Sequence, residues 1–152
     1  MNGIETVGPP TITEAVKRFI QGCPHLAAAA VNVNELSALG SISIDPLPGA
    51  KTVSTDLAGN KVKEFPFTLS SMECTANELA RLANSQTYEQ IAQWLEDCTD
   101  KDELPDLGPG LTAESIEATT WAYLFQREGA DTGVYQINCK LTYEQKARNQ
   151  YA

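Results

Sequence analysis

The chain has 152 residues, of which 42% are hydrophobic and 20% charged, and a net charge of −9. That is enough for one domain with a core of its own, and the negative balance speaks against duplex nucleic acid as a specific partner. No apolar run approaches the roughly 20 residues that span a bilayer, and the opening Asn2, Gly3, Ile4 and Glu5 lack the basic-then-apolar pattern of a signal peptide, so no membrane is expected among the partners.

Residues 1–10, with two glycines and two prolines, are expected to form a flexible N-terminal arm. Thr11-x-x-Glu14 has the spacing of a capping box, and Ile12, Val16, Phe19 and Ile20 return at helical intervals until Gly22 and Pro24 stop the helix. His25 to Leu39 reads two ways, as helix on its alanines or as a short strand or turn on its valines and asparagines. At Ser41 the period changes: Ile42 and Ile44 alternate with Ser41, Ser43 and Asp45, a strand that Pro46 and Pro48 end. Lys51 to Thr55 is a further strand, and Asp56 to Asn60 is a turn.

Beyond that turn, Lys61, Lys63, Phe65, Phe67 and Leu69 share one strand face. Pro66 has no amide to donate, which places this strand at a sheet edge or at a bulge. An edge would offer a row of backbone groups to another subunit. Helix is predicted over Thr75 to Leu82 and again from Thr87, where Thr87-x-x-Gln90 has capping-box spacing and Ile91, Ala92, Trp94 and Leu95 form the apolar side. Glu96 to Asp106 is the most acidic stretch, carrying Asp97, Asp100, Asp102, Glu103 and Asp106 against the single cation Lys101. One long strand is then predicted over Ile116 to Phe125, followed by the turn Glu128 to Gly133 and a strictly alternating strand through Tyr143. The pair makes a C-terminal antiparallel hairpin. The expected fold is α+β, a largely antiparallel sheet packed against two or three helices. One domain is expected over residues 11–146, with residues 147–152 as a C-terminal tail.

Residues that carry chemistry are sparse. There is one histidine, His25, with no HExxH, no CxxC and no GxSxG, and neither GxGxxG nor GxxxxGK[ST] occurs. The acidic stretch does not follow the calcium-loop schedule, and reads as a charged loop that could match a basic surface on a partner. The four cysteines, Cys23, Cys74, Cys98 and Cys139, are far apart and expected to be free thiols, Cys139 buried. Trp94, Trp121, Tyr123, Phe125 and Tyr135 fit apolar phases and read first as core, second as interface anchors. No cofactor, metal site or catalytic residue is expected.

Several segments, taken in order, resemble a phage minor capsid protein family whose members act as tail-terminator, or tail-completion, proteins of long-tailed phages and phage-tail-like particles. They are Ser41-Ile42-Ser43-Ile44-Asp45, Ala58-Gly59-Asn60, Phe65-Pro66-Phe67-Thr68-Leu69, Ile91-Ala92-Gln93-Trp94-Leu95, Leu104-Pro105-Asp106-Leu107, Tyr123-Leu124-Phe125, and Tyr135 to Tyr143. The resemblance covers about Thr11 to Glu144.

It implies a structural virion protein, not an enzyme, assembled in the bacterial host cytoplasm. Such a protein forms a ring, usually a hexamer, that caps the head-proximal end of the tail tube, ends its polymerisation and offers the surface for head–tail joining. The implied partners are further copies of the chain, the tail-tube protein, and a head connector or sheath protein. The interface candidates are Asp56, Asn60 and Lys61 at the turn, Phe65, Phe67 and Leu69 on the strand, and Asp100, Asp102, Glu103 and Asp106 in the acidic loop. Alternatives are a different head–tail connector or minor capsid component, a small hydrolase using an acidic pair, and a simple adaptor outside phage biology.

Overall fold

The computed structural model describes residues 11–26, 31–34, 36, 41–49 and 51–147. The expected arm over residues 1–10, most of the tail from 147, and parts of the stretch between His25 and Leu39 lie outside them.

Helix α1 (Ile12–Gln21) starts on the predicted capping box. The Glu14 amide donates to the Thr11 hydroxyl at 3.1 Å, and the Thr11 amide donates to the Glu14 carboxylate at 3.0 Å. This exchange holds the Glu14 carboxyl below its ordinary range, the Thr11 amide being the main cause. Val16 and Ile20 of the stripe are buried, and Gly22 caps the end. A 3-10 turn (Pro24–Leu26) follows. The valines prevail over Val31–Val33, which forms strand β1 and pairs in parallel with β2 (Ile42–Pro46).

The sheet has seven strands in the order β1-β2-β4-β7-β5, with β3 (Thr52–Thr55) beside β4 and β6 (Tyr123–Arg127) beside β7. Its spine is the antiparallel pair β4 (Lys61–Cys74) and β7 (Thr132–Gln145), in register along their whole length from Lys61 opposite Gln145 to Cys74 opposite Thr132. Each spine strand has two short partners laid end to end on its outer side, β2 and β3 on β4, β5 (Leu111–Ala118) and β6 on β7. The fold is therefore α+β, with a mostly antiparallel sheet and a hairpin-like β6–β7 pair.

The strand carrying Pro66 is central, which corrects the edge-or-bulge expectation. The Pro66 carbonyl accepts from the Leu47 amide at 2.9 Å, so the imide nitrogen faces the same side, toward the gap where β2 has ended and β3 has not begun. Only one of the two bonds of a Leu47–Pro66 pair can form, so the β2 ladder ends at this point while the β7 side stays in register.

Helix α2 (Glu78–Asp100) is one continuous helix of 23 residues, where two pieces were expected. Asn77 is its N-cap, its side chain accepting from the Ala80 amide at 2.9 Å. Thr87 lies inside the helix and donates its hydroxyl to the Ala83 carbonyl, so the second capping-box spacing is not used as a cap. No glycine or proline interrupts the run, and Tyr88, Ile91, Leu95 and Cys98 bury the stripe that holds it to the sheet.

Both helices cover the same sheet face, where Ile44, Phe67, Leu69, Ile116, Ile137, Cys139 and Leu141 meet Val16, Ile20, Ile91 and Leu95. Phe19 stacks on Trp94, centroids 4.9 Å apart, and ties α1 to α2. Tyr88 reaches the sheet with a polar tip: its hydroxyl lies 2.7 Å from that of Ser71 and donates to the Tyr135 carbonyl at 3.3 Å. Burial pushes the Tyr88 phenol well above its ordinary range. All four cysteines are free, and Cys139 is buried as expected, its thiol pushed up by desolvation.

The exit of α2 replaces the first part of the expected acidic loop. The Asp102 amide donates to Thr99 and the Glu103 amide to Cys98 at 2.8 Å, a Schellman closure with Asp102 at φ 58 where glycine is the usual residue. Asp102→Gly is therefore expected to stabilise the fold by about 0.5–1 kcal/mol, read as a higher midpoint in urea unfolding.

Candidate assembly interface

The sequence-predicted candidates separate into three groups. Asp56 and Asn60 close the β3–β4 turn. The Asp56 carboxylate accepts from the Ala58 and Asn60 amides at 2.9 Å each, and from the Asn60 side chain at 3.1 Å. These bonds, the Asn60 amide foremost, hold its carboxyl below the ordinary range. Gly59 supplies the φ of 91 that the turn requires, and Asn60 accepts from the Ala147 amide, fastening the end of β7 to the turn. Lys61, directly after the turn, is half-buried.

Phe67 and Leu69 lie in the core and Phe65 packs against it, since their strand is central. The edge route to a partner is absent along β4; Phe67 and Leu69 present no surface, and Phe65 is half-buried. Of the acidic group, Asp100 is the last residue of α2, Asp102 and Glu103 form its exit, and Asp106 accepts from the Gly108 amide at 3.1 Å. All four are exposed. The last turn of α2 carries no basic residue, so Asp97 and Asp100 add their charge to the negative end of the helix dipole.

Sequence reasoning missed the largest exposed aromatics. Trp121, Tyr123 and Phe125 are at the surface, Trp121 at 79% of full exposure and Phe125 at 56%, although their alternation reads first as core. Trp94 and Tyr135 follow that reading, packing on the core.

The expected long strand is broken, and the break explains the exposure. Ala118 pairs with Cys139 and Tyr123 with Gln136, so the four residues Thr119 to Ala122 oppose only Asn138 and Ile137. The Thr119 amide donates to the Asn138 carbonyl at 2.7 Å and the Thr120 hydroxyl accepts from the Asn138 amide at 3.1 Å, so β7 keeps its partners while Trp121 is pushed out. A second bulge lies between Leu124 and Gln126, at Phe125. Two adjacent threonines able to replace ladder bonds were the signal in the sequence.

Trp121 stands at one end of a groove of about 830 Å³ between α2 and the outer edge of β5. Glu89, Glu96, Asp100 and Glu117 line it, all exposed, with no lysine or arginine among the lining residues. Glu117 lies 4.0 Å from the Lys140 ammonium, on the other strand of the β5–β7 pair. The β5 edge is itself closed at one point: the Thr99 hydroxyl donates to the Ile116 carbonyl at 2.8 Å and accepts from the Ile116 amide at 3.0 Å. Further apolar surface lies on Leu79 and Leu82, on Leu57 in the β3–β4 turn, and on Leu47 and Val53 at the opposite sheet margin.

Among the described residues no group of three or more His, Cys, Asp or Glu side chains could hold a metal ion, and no helix is long and apolar enough to cross a membrane. The chain is thus an α+β domain whose two sheet margins carry exposed apolar side chains. Comparison with protein-family models and with curated proteins finds no match for it.

Proposed function

We propose that this chain is a structural subunit of a phage tail or phage-tail-like particle, forming a ring that caps the head-proximal end of the tail tube and receives the head connector. The reading rests on the resemblance of its ordered segments to tail-terminator proteins. The observation that carries it on the structural side is the exposure of Trp121, Tyr123 and Phe125 on bulged strands. Large aromatics held out of a core that has room for Trp94 and Tyr135 are the usual anchors of protein interfaces. Its partners are further copies of itself, the tube protein, and a connector or sheath protein. Its work is done through surfaces, with no catalytic step.

The test combines native mass spectrometry of the chain with electron microscopy of the chain mixed with isolated tail tubes. A ring seated at one tube end is the expected result. A chain that stays monomeric and leaves tube ends bare, or that binds only tail-less heads, overturns the terminator reading; the second outcome makes it a connector.

A further inference from the structure

We propose that the acidic groove beside β5, with Trp121 at its end, receives the β3 margin of a second copy of this chain, so that subunits join head to tail at equal height. The inference rests on the ring reading above and names the surfaces that build it.

Four independent features agree. The first is direction. β3 is antiparallel to β4, β4 to β7, and β7 to β5, so β3 and β5 run oppositely at the two margins of one sheet. Rotation about an axis along the strands preserves direction, and β3 of the next copy therefore arrives antiparallel to β5. The second is height. The Lys51 carbonyl accepts from the Glu64 amide, and Glu64 is level with Thr142 and Ser115. Leu47 bonds Pro66, which is level with Lys140 and Glu117. A neighbour at the same height thus brings Lys51 to the groove and Leu47 near the bulge that holds Trp121.

The third is charge. The groove offers Glu89, Glu96 and Asp100, with Glu117 4.0 Å from Lys140, whereas the β3–β4 margin gathers Lys51, Lys61 and Lys63 against Asp56, which its own turn amides hold, and Glu64, which lies 3.2 Å from Lys140. The fourth is apolar surface, with Leu47 and Val53 exposed on one margin and Trp121 on the other. Because Thr99 already occupies the backbone of Ile116, contact at that height is made by side chains and not by a ladder. Two different surfaces joined without a rise along the axis close into a ring, where a rise would give a filament.

The test uses the full chain in two charge-reversed forms, a groove variant (Glu96→Lys with Asp100→Lys) and a margin variant (Lys51→Glu with Lys61→Glu). Their fold is checked by circular dichroism and their mass by sedimentation velocity. Each alone is expected to self-associate about tenfold or more weakly than the unaltered chain. Mixed in equal amounts they assemble with each other into a ring of alternating copies, because the intact margin of the groove variant meets the intact groove of the margin variant and the reversed groove meets the reversed margin. Combining all four changes in one chain restores the ring.

Variants that form rings as the unaltered chain does overturn this surface and leave the ring reading standing. So does a groove variant that keeps its ring but no longer caps tubes, since the groove then holds a different protein. An unaltered chain that neither self-associates nor caps tubes ends both.

Discussion

Phe67→Ala is expected to lower the stability of the folded chain by about 3–5 kcal/mol, seen as a large drop in the urea midpoint followed by far-ultraviolet circular dichroism. Phe67 has no exposed surface, sits in the middle of β4 between Pro46 and Cys139, and lies 5.7 Å from the ring of Phe65. Removing the ring deletes its contacts with both neighbouring strands, and close-packed surroundings recover only part of the space. Against a total of roughly 5–15 kcal/mol for a domain, this is enough to populate unfolded chain. An interface role for Phe67 predicts the opposite pattern, an unchanged monomer that fails to assemble. Phe125→Ala supplies the comparison: its side chain is largely exposed, and stability should move by no more than about 0.5 kcal/mol.

What could be read from the sequence was local. The Thr11 capping box, the strand at β2, the Asp56–Asn60 turn and the strict period of β7 all depend on neighbours within a few residues, and the structure has each of them, although Ser43 of β2 is buried as fully as the isoleucines beside it. What failed depended on distant segments. Pro66 forbids a donor at one point, but whether that point is an edge or a gap depends on where β2 stops and β3 starts. Thr87 has the spacing of a cap, yet the surrounding helix formers and the Asn77 cap upstream carry α2 straight through it. The aromatics of β6 alternate as core residues do. Their exposure comes from four residues opposing two on β7, a count that only the pairing reveals. The candidate site was therefore only partly legible: of its four acidic residues Glu96 and Asp100 lie in the visible run and only Asp100 is among the sequence candidates, while Glu89, Glu117 and the aromatic anchor are hidden in what reads as regular helix and strand.

The register that exposes those aromatics depends on Gly133, and Gly133→Ala is expected to destabilise the chain by about 1–3 kcal/mol while loosening β6 selectively. A Cβ at this position would lie 2.7 Å from Leu124 Cδ1, 3.2 Å from the Gln126 carbonyl and 3.2 Å from Thr75 Cγ2. The leucine tip can turn away, but the carbonyl belongs to the strand opposite. Thr75 is buried, with its amide bonded to Asp131 at 2.7 Å and its hydroxyl without a partner. Relief must therefore come from β6 itself, which pairs with β7 over only a few residues, from Tyr123 to Arg127. Hydrogen exchange should show faster exchange at Gln126 and Glu128, whose amides face β7, with the β4–β7 spine little changed, and Phe125 should lose its fixed position at the bulge. Gly22→Ala is the control. Its φ of −84 suits alanine and its nearest neighbour is 3.4 Å away, so the loss of unfolded-state freedom should leave stability equal or slightly higher. If both substitutions behave alike, the close approach at Gly133 does not hold the bulge, and the aromatic margin must be set from the Thr119–Thr120 side alone.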